Sequence, residues 1–242
     1  MTHQAEVLKA EQALHDQLNI LPRRQLVVVF ALISMTFLIQ FIDQNGISAT
    51  LPTIAADLDA QATISWAGTA SLMANTTFQM LYGRMSDIFG RKTVFLAAIA
   101  LLVIADLGCG LSQNATMFYI FRAIAGIGGG GITNLGMIIV SDVVTLEERG
   151  KYQGIFGSMV GLGNIIGPFL AAGVISRYTW RVFFWILAPL GAICFVVMYI
   201  YLPSKPRTAS VSESLRKVDW LGTLTSSLGI IFLLIPISGG SP

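Results

Sequence analysis

The sequence predicts an all-α polytopic membrane protein, and three observations carry that prediction. Hydrophobic residues make up 54% of the 242 positions. Charged residues make up 12%, half of the roughly 25% found in an ordinary soluble domain. The mean hydropathy is +0.71, and the apolar residues lie in long runs rather than in the alternating ten-residue segments of a membrane β-barrel. A spanning helix needs roughly 20 apolar residues, so seven of them use about 140 and leave about 100 for tails and loops.

Residues 1–25 form a polar tail without the short apolar core and small-residue cleavage site of a signal peptide, so the tail is expected to be retained on the cytoplasmic side. Spans are expected at 26–48, 65–83, 93–111, 116–141, 153–175 and 181–202, which make a six-helix bundle over 26–202. A polar stretch at 203–219 reads as a cytoplasmic linker. Residues 220–238 read as a seventh span, in a segment 220–242 that is expected to be the end of a truncated chain.

Orientation follows from the basic residues, because Lys and Arg near span ends stay on the cytoplasmic side. With the N-terminus inside, the inner segments hold twelve of the 15 Lys and Arg residues and the outer loops hold two, Arg177 and Arg181. That distribution opposes a seven-helix receptor, whose N-terminus faces outward. A net charge of +2 without a basic stripe excludes a nucleic-acid footprint. Cys109 and Cys194 lie inside apolar runs and read as small core residues, not as a disulfide or metal site. No Ser/His/Asp set, carboxylate pair or P-loop is present, so neither enzyme catalysis nor ATP hydrolysis is expected.

With these spans, and with Arg181 at the very edge of its span counted with the outer loop, only Asp43, Asp106 and Arg122 of the 28 charged side chains fall within the membrane. Each costs about 2.5–3.5 kcal/mol at mid-span on the insertion scale, so each requires a partner or a function. At 1.5 Å per residue all three stand about 20–25 Å from the inner end of their spans. Asp106 and Arg122 also face each other across the tight turn at 112–115. Two readings remain open. In one, Asp43 takes up and releases a proton while Arg122 sets its affinity; in the other, the charges form a static pair that positions helices. Asp106 reads as the structural counter-ion of Arg122.

Residues 83–92 read G-R-M-S-D-I-F-G-R-K, a short turn in which Gly83 and Gly90 permit close approach, Asp87 can meet a helix N-terminus, and Arg91 and Lys92 anchor the inner side. This resembles the G-x-x-x-D-x-x-G-R-K signature of the major facilitator superfamily of secondary transporters. Three further segments are similar in the same order. Arg122 to Gly126 resembles the family's fourth-helix R-x-x-x-G element. Gly163 to Gly167 with Pro168 resembles the G-x-x-x-G-P element of antiporters. Asp43 through Leu51 and Pro52 resembles the first-helix L-D to L-P element of the fourteen-span drug:proton antiporters. Segments at 180–184 and 219–222 resemble those flanking the sixth and seventh helices of that branch. Asn45, Ile88, Ala125, Ala171 and Ala172 depart from its usual residues.

The resemblance implies the N-terminal half of a major facilitator transporter. It places the proton-coupling role on Asp43 and Arg122, beside which the depth argument sets Asp106, and it implies that Gly83, Asp87, Gly90, Arg91, Lys92, Gly163, Gly167 and Pro168 serve conformational change. No cofactor is implied, since a proton gradient supplies the energy. The implied function is proton-coupled antiport of small organic compounds or drugs, in the plasma or vacuolar membrane. Alternatives are a vacuolar basic amino acid transporter and a truncated non-transporting membrane fragment. The implied partners are a small-molecule substrate, the lipid bilayer, and the missing C-terminal half or a second chain.

Two packing features are read from the residues themselves. In the fifth span Gly157, Gly161, Gly163, Asn164, Gly167, Pro168 and Ala171 share one arc, a smooth face for close helix packing. The glycines at 126–131 fit a dinucleotide pattern but lie inside an apolar span without a preceding strand, so they read as helix packing. Gln40, Asn45, Asn75, Gln79, Asn134 and Asn164 outline a candidate substrate cavity, although each taken singly reads more readily as an interhelical hydrogen bond than as a substrate contact. Asn75 and Asn114 match glycosylation patterns in positions where modification is not expected.

Overall fold

The computed structural model describes residues 23–144 and 146–202, with Thr225, Gly229 and Phe232. The expected tail, the linker and the seventh span lie largely outside these residues. The described chain forms six helices: α1 Arg23–Asp57, α2 Ser65–Phe89, α3 Arg91–Gly110, α4 Ala115–Val143, α5 Leu146–Ile175 and α6 Arg181–Tyr201. Among the described residues five helices, α1 and α3 to α6, are long and apolar enough to cross a membrane. The exception is α2, a 25-residue helix of spanning length. Its Ser, Thr, Asn and Gln residues lower its hydropathy, which suits a helix that packs mainly against α4.

The main contacts run α5 to α1, α1 to α6, α6 to α3, α3 to α4 and α4 to α2, so the helices form a curved layer with α5 and α2 at its edges. Across the curve α1 also touches α4. Two apolar clusters fill the interior. One gathers Phe37, Phe95, Ile99, Leu102, Ala125 and Phe156. The other gathers Ile54, Cys109, Phe118, Trp180, Phe183 and Phe184. Along α3 the seam between them falls at Asp106, and along α4 it falls at Arg122, between Phe118 and Ala125.

Helix ends differ from the expected spans where packing, not hydropathy, sets them. Helix α1 continues past residue 48 and through Pro52 to Asp57. Its last turns are retained because Ile54 is fully buried with Trp180 and Phe183, and because Asp57 accepts hydrogen bonds from Trp180 Nε1 at 3.1 Å and Arg181 Nη1 at 2.7 Å. Helix α5 starts at Leu146, seven residues before its apolar run, and Arg149 Nη2 there donates to the Ser141 carbonyl near the end of α4 at 2.8 Å. A cation at that point complements the C-terminal end of a helix. The expected turn at 83–92 contracts to a single residue. Gly83 to Phe89 are helical, and Gly90 alone, at φ +91°, breaks α2 from α3.

The glycines of α4 bring it against both neighbours. A Cβ at Gly126 would stand 2.1 Å from the Ser71 carbonyl oxygen, and one at Gly130 would stand 2.6 Å from that of Asn75, both on α2. On the other side, a Cβ at Gly128 would lie 2.8 Å from the Ala98 oxygen of α3. The glycine run therefore serves helix packing. The small-residue arc of α5 divides. Gly163 and Gly167 meet the backbone of α1 at Phe41 and Ile42, whereas Gly157 and Gly161 have nothing within 4 Å. The arc is broader than the face one neighbouring helix covers, so its far edge lies away from α1.

Gly126→Ala should therefore lower stability by about 1–3 kcal/mol, the range for overpacking, because the obstructing atom is backbone and cannot rotate away. Gly161→Ala, in open space, should be neutral or gain up to about 1 kcal/mol from helix propensity. Thermal unfolding of both purified variants in mild detergent checks the pair; equal melting temperatures would refute the packing role.

Candidate proton-coupling site

The turn joining α3 to α4 sets the first part of the site. Asn114 caps α4 by accepting a hydrogen bond from the Met117 amide at 2.8 Å, a use of its side chain that satisfies one of the free N–H groups of the first turn. Ser112 closes the end of α3 by donating to the Cys109 carbonyl at 2.7 Å. The two helices then run antiparallel at close range, since a Cβ at Gly108 would collide with the Phe121 ring at 2.2 Å. Asp106 and Arg122 are thereby carried to the same level.

Helix α1 supplies the third charge. Arg122 Nη1 donates to both oxygens of Asp43, at 2.7 Å and 2.9 Å. Arg122 is 1% exposed and Asp43 is 3% exposed, so the pair is removed from solvent. Asp106, also 1% exposed, stands beside the pair and feels both charges. Its Oδ1 is buried without a hydrogen-bond partner, as is Nε of Arg122. Arg122 thus hydrogen-bonds to Asp43 on α1, the acid that the sequence reading couples to it, and not to Asp106 on α3, expected as its structural counter-ion. Matched depth and a tight turn bring Asp106 close, but the guanidinium reaches across the curve of the bundle.

The six amides expected to outline a cavity are all on α1, α2, α4 and α5, and they divide into three places. Gln40 and Asn75 converge over Gly129, where a Cβ would stand 3.0 Å from Gln40 Nε2 and 3.2 Å from Asn75 Nδ2. Gln40 also donates to Gln44 at 2.9 Å, while its own buried Oε1 has no partner. Asn45 bridges α1 to α5 by donating to Asn164 Oδ1 at 2.8 Å. Asn134 donates to the Gln79 carbonyl, so that pair joins α4 to α2 through backbone.

At the end where α2 meets α3, Arg91 pairs with Asp87 at 3.8 Å and also with Asp142 near the end of α4. Lys92 lies over the Tyr199 ring of α6, 5.3 Å from its centroid. The segment 83–92 therefore connects α2, α3, α4 and α6. Pro168 lies within α5 without ending it.

Comparison with known proteins places this architecture. The family model of the Major Facilitator Superfamily matches residues 33–240. The chain belongs to that superfamily. It is 54% identical over 232 residues to "Citrate exporter 1" of Yarrowia lipolytica, covering 96% of this chain and 34% of that protein. It is 46% identical over 232 residues to "MFS-type transporter clz4" of Cochliobolus lunatus, covering 96% of this chain and 42% of that one. The chain thus spans about a third to two fifths of these relatives' length. Among solved structures, the proton:xylose symporter XylE bound to 6-bromo-6-deoxy-D-glucose superposes with a TM-score of 0.69 at 16% identity, over 88% of this chain and 54% of that one. At that identity the likeness is one of fold.

Three residues of this superfamily member take part in the geometry although the sequence reading assigns them no role in the site. Cys109, one turn from Asp106, lies within range of Arg122 and both acids; its place in an apolar run gave only packing as a signal. Asp142 falls just beyond the fourth apolar run, and its partner Arg91 opens another helix, α3. Asp57 holds Arg181, which in turn donates to the Ser112 carbonyl at 3.1 Å, so one of the two basic residues outside the main basic cluster ties three helices together.

Removing one partner of a buried ion pair leaves an uncompensated charge, at a cost of about 3–5 kcal/mol. Arg122→Met should destabilise the fold by that amount, and adding Asp43→Asn should restore a large part of it. A double-mutant cycle by denaturation in detergent measures the coupling; strictly additive losses would mean that the pair does not act as one.

Proposed function

We propose that this chain is the N-terminal part of a secondary transporter that exports small organic compounds in exchange for protons. The observation that carries the reading is the occluded Asp43 and Arg122 pair, with Asp106 beside it, at the seam between the two apolar clusters. An ionisable group at that depth is retained at a cost unless it does work, and proton relays are among its main uses in transporters. Protonation of an acid in this site changes the electrostatic balance around the Arg122 tie between α1 and α4, and so favours one arrangement of helices over another. In superfamily transporters substrate lies between two halves, and the amide-bearing helices α1, α2, α4 and α5 would face the second half. The end carrying Arg84, Arg91, Lys92, Arg149 and Lys151 is assigned to the cytoplasmic side by the excess of basic residues.

A narrower substrate reading is favoured by the 54% identity to a protein named as a citrate exporter, which supports a small polycarboxylate as the exported compound. Amides such as Gln40 and Asn75 suit such a ligand because their N–H groups donate to carboxylate oxygens.

Asp43→Asn in the intact transporter should abolish transport driven by a proton gradient while leaving facilitated exchange of substrate. Proteoliposomes with and without an imposed gradient provide the measurement, and gradient-driven accumulation by the variant would overturn the coupling role. Arg122→Lys keeps the charge but not the planar guanidinium that holds both oxygens of Asp43, so it should slow coupled transport by roughly 10–100-fold, equivalent to a charge-assisted hydrogen bond.

A further inference from the structure

Two acids and one base share the occluded site, and their hydrogen bonds are unequal. Asp43 receives Nη1 of Arg122 on both of its oxygens. Asp106 has one buried oxygen with no partner. With all three groups ionised the site holds a net charge of −1 between two apolar clusters, and a single bound proton cancels it. Placing that proton on Asp43 would forfeit the charge-assisted bonds that secure Arg122. Placing it on Asp106 forfeits no hydrogen bond and turns an ionised, partly unsatisfied carboxylate into a neutral carboxylic acid, the cheaper form to bury.

We propose that Asp106, on α3, is the residue that binds the exchangeable proton, while Asp43 remains the fixed counter-ion of Arg122. This deepens the proton-coupled reading above, on which its functional consequence rests. The step is a simple protonation: Asp106 carboxylate plus one proton gives the Asp106 carboxylic acid, with no other bond made or broken. The charged and titratable groups facing Asp106 are Asp43 from α1, Arg122 from α4 and Cys109 from its own helix. When the proton leaves, Asp106 becomes a second carboxylate beside the guanidinium, whose Nε is buried without a partner. Arg122 then has an anion on α3 as well as one on α1, and the exclusive tie between α4 and α1 is lost. Proton release is thereby converted into a change in which helices are held together.

The proton can be located without a transport assay. Protonated carboxyl groups absorb in the infrared apart from carboxylates, and carbon-13 at the aspartate side-chain carboxyl shifts the band of a protonated Asp but not that of a protonated Glu. At pH 7, well above the ordinary carboxyl pKa of about 4, exposed acids are ionised, so the remaining band reports the occluded site. In the full chain labelled at aspartate, the wild-type band should shift with the label. In Asp106→Glu the band should become insensitive to the label, because the proton then sits on the introduced, unlabelled glutamate. In Asp43→Glu it should remain label-sensitive. Either variant alone decides the matter if the other fails to fold. A label-sensitive band in Asp106→Glu, a label-insensitive band in Asp43→Glu, or no protonated band in the wild type would overturn the assignment. If the band behaves as expected while proteoliposomes show no gradient-driven transport, the proton site stands and the transport reading falls.

Discussion

Arg122 carries a permanent positive charge into the interior of an apolar helix bundle, and the surrounding helices are arranged so that this charge has an anion against it. The guanidinium cannot shed its proton to escape burial, so the chain must supply the compensation. Asp43 does so from α1 with both oxygens. The pair joins two helices that otherwise touch little, which makes a polar contact the principal tie across the curve of the bundle. Such a tie responds to protonation in a way that apolar packing does not.

For the guanidinium to reach Asp43, α4 must lie deep between its neighbours, and its glycines permit this. The Cβ positions at 126, 128 and 130 are occupied by backbone atoms of α2 and α3, so the helix that carries the charge is also closely enclosed. Close enclosure and buried charge support each other. Tight backbone packing excludes the water that would otherwise screen the pair, and the pair in turn holds in place a helix whose glycine surface offers little side-chain area for apolar contact.

The spans were legible because hydropathy is a local property of the chain. Five of the expected segments reappear as apolar spanning helices among the described residues, and α3 and α6 end within two residues of expectation. The end that moved furthest depends on remote residues. The extension of α1 to Asp57 rests on Trp180 and Arg181, far along the chain; the first-helix element through Pro52 pointed past residue 48 but not to those partners. The motif at 83–92 was legible as a set of residues, but its partners Asp142 and Tyr199 were not, because each lies on a helix whose azimuth only packing defines.

The three buried charges show where that division falls. The sequence by itself determined that Asp43, Asp106 and Arg122 share one depth, since depth follows from the rise per residue and the span ends. It also determined that the chain crosses a membrane several times and carries the motifs of its superfamily. Which carboxylate pairs with the arginine was decided by tertiary structure alone. Depth is a coordinate along the chain, whereas pairing depends on the lateral order and rotation of helices. The enclosure of α4 between α2 and α3 turns Arg122 toward α1, and so leaves the acid nearer in sequence without a hydrogen bond to it.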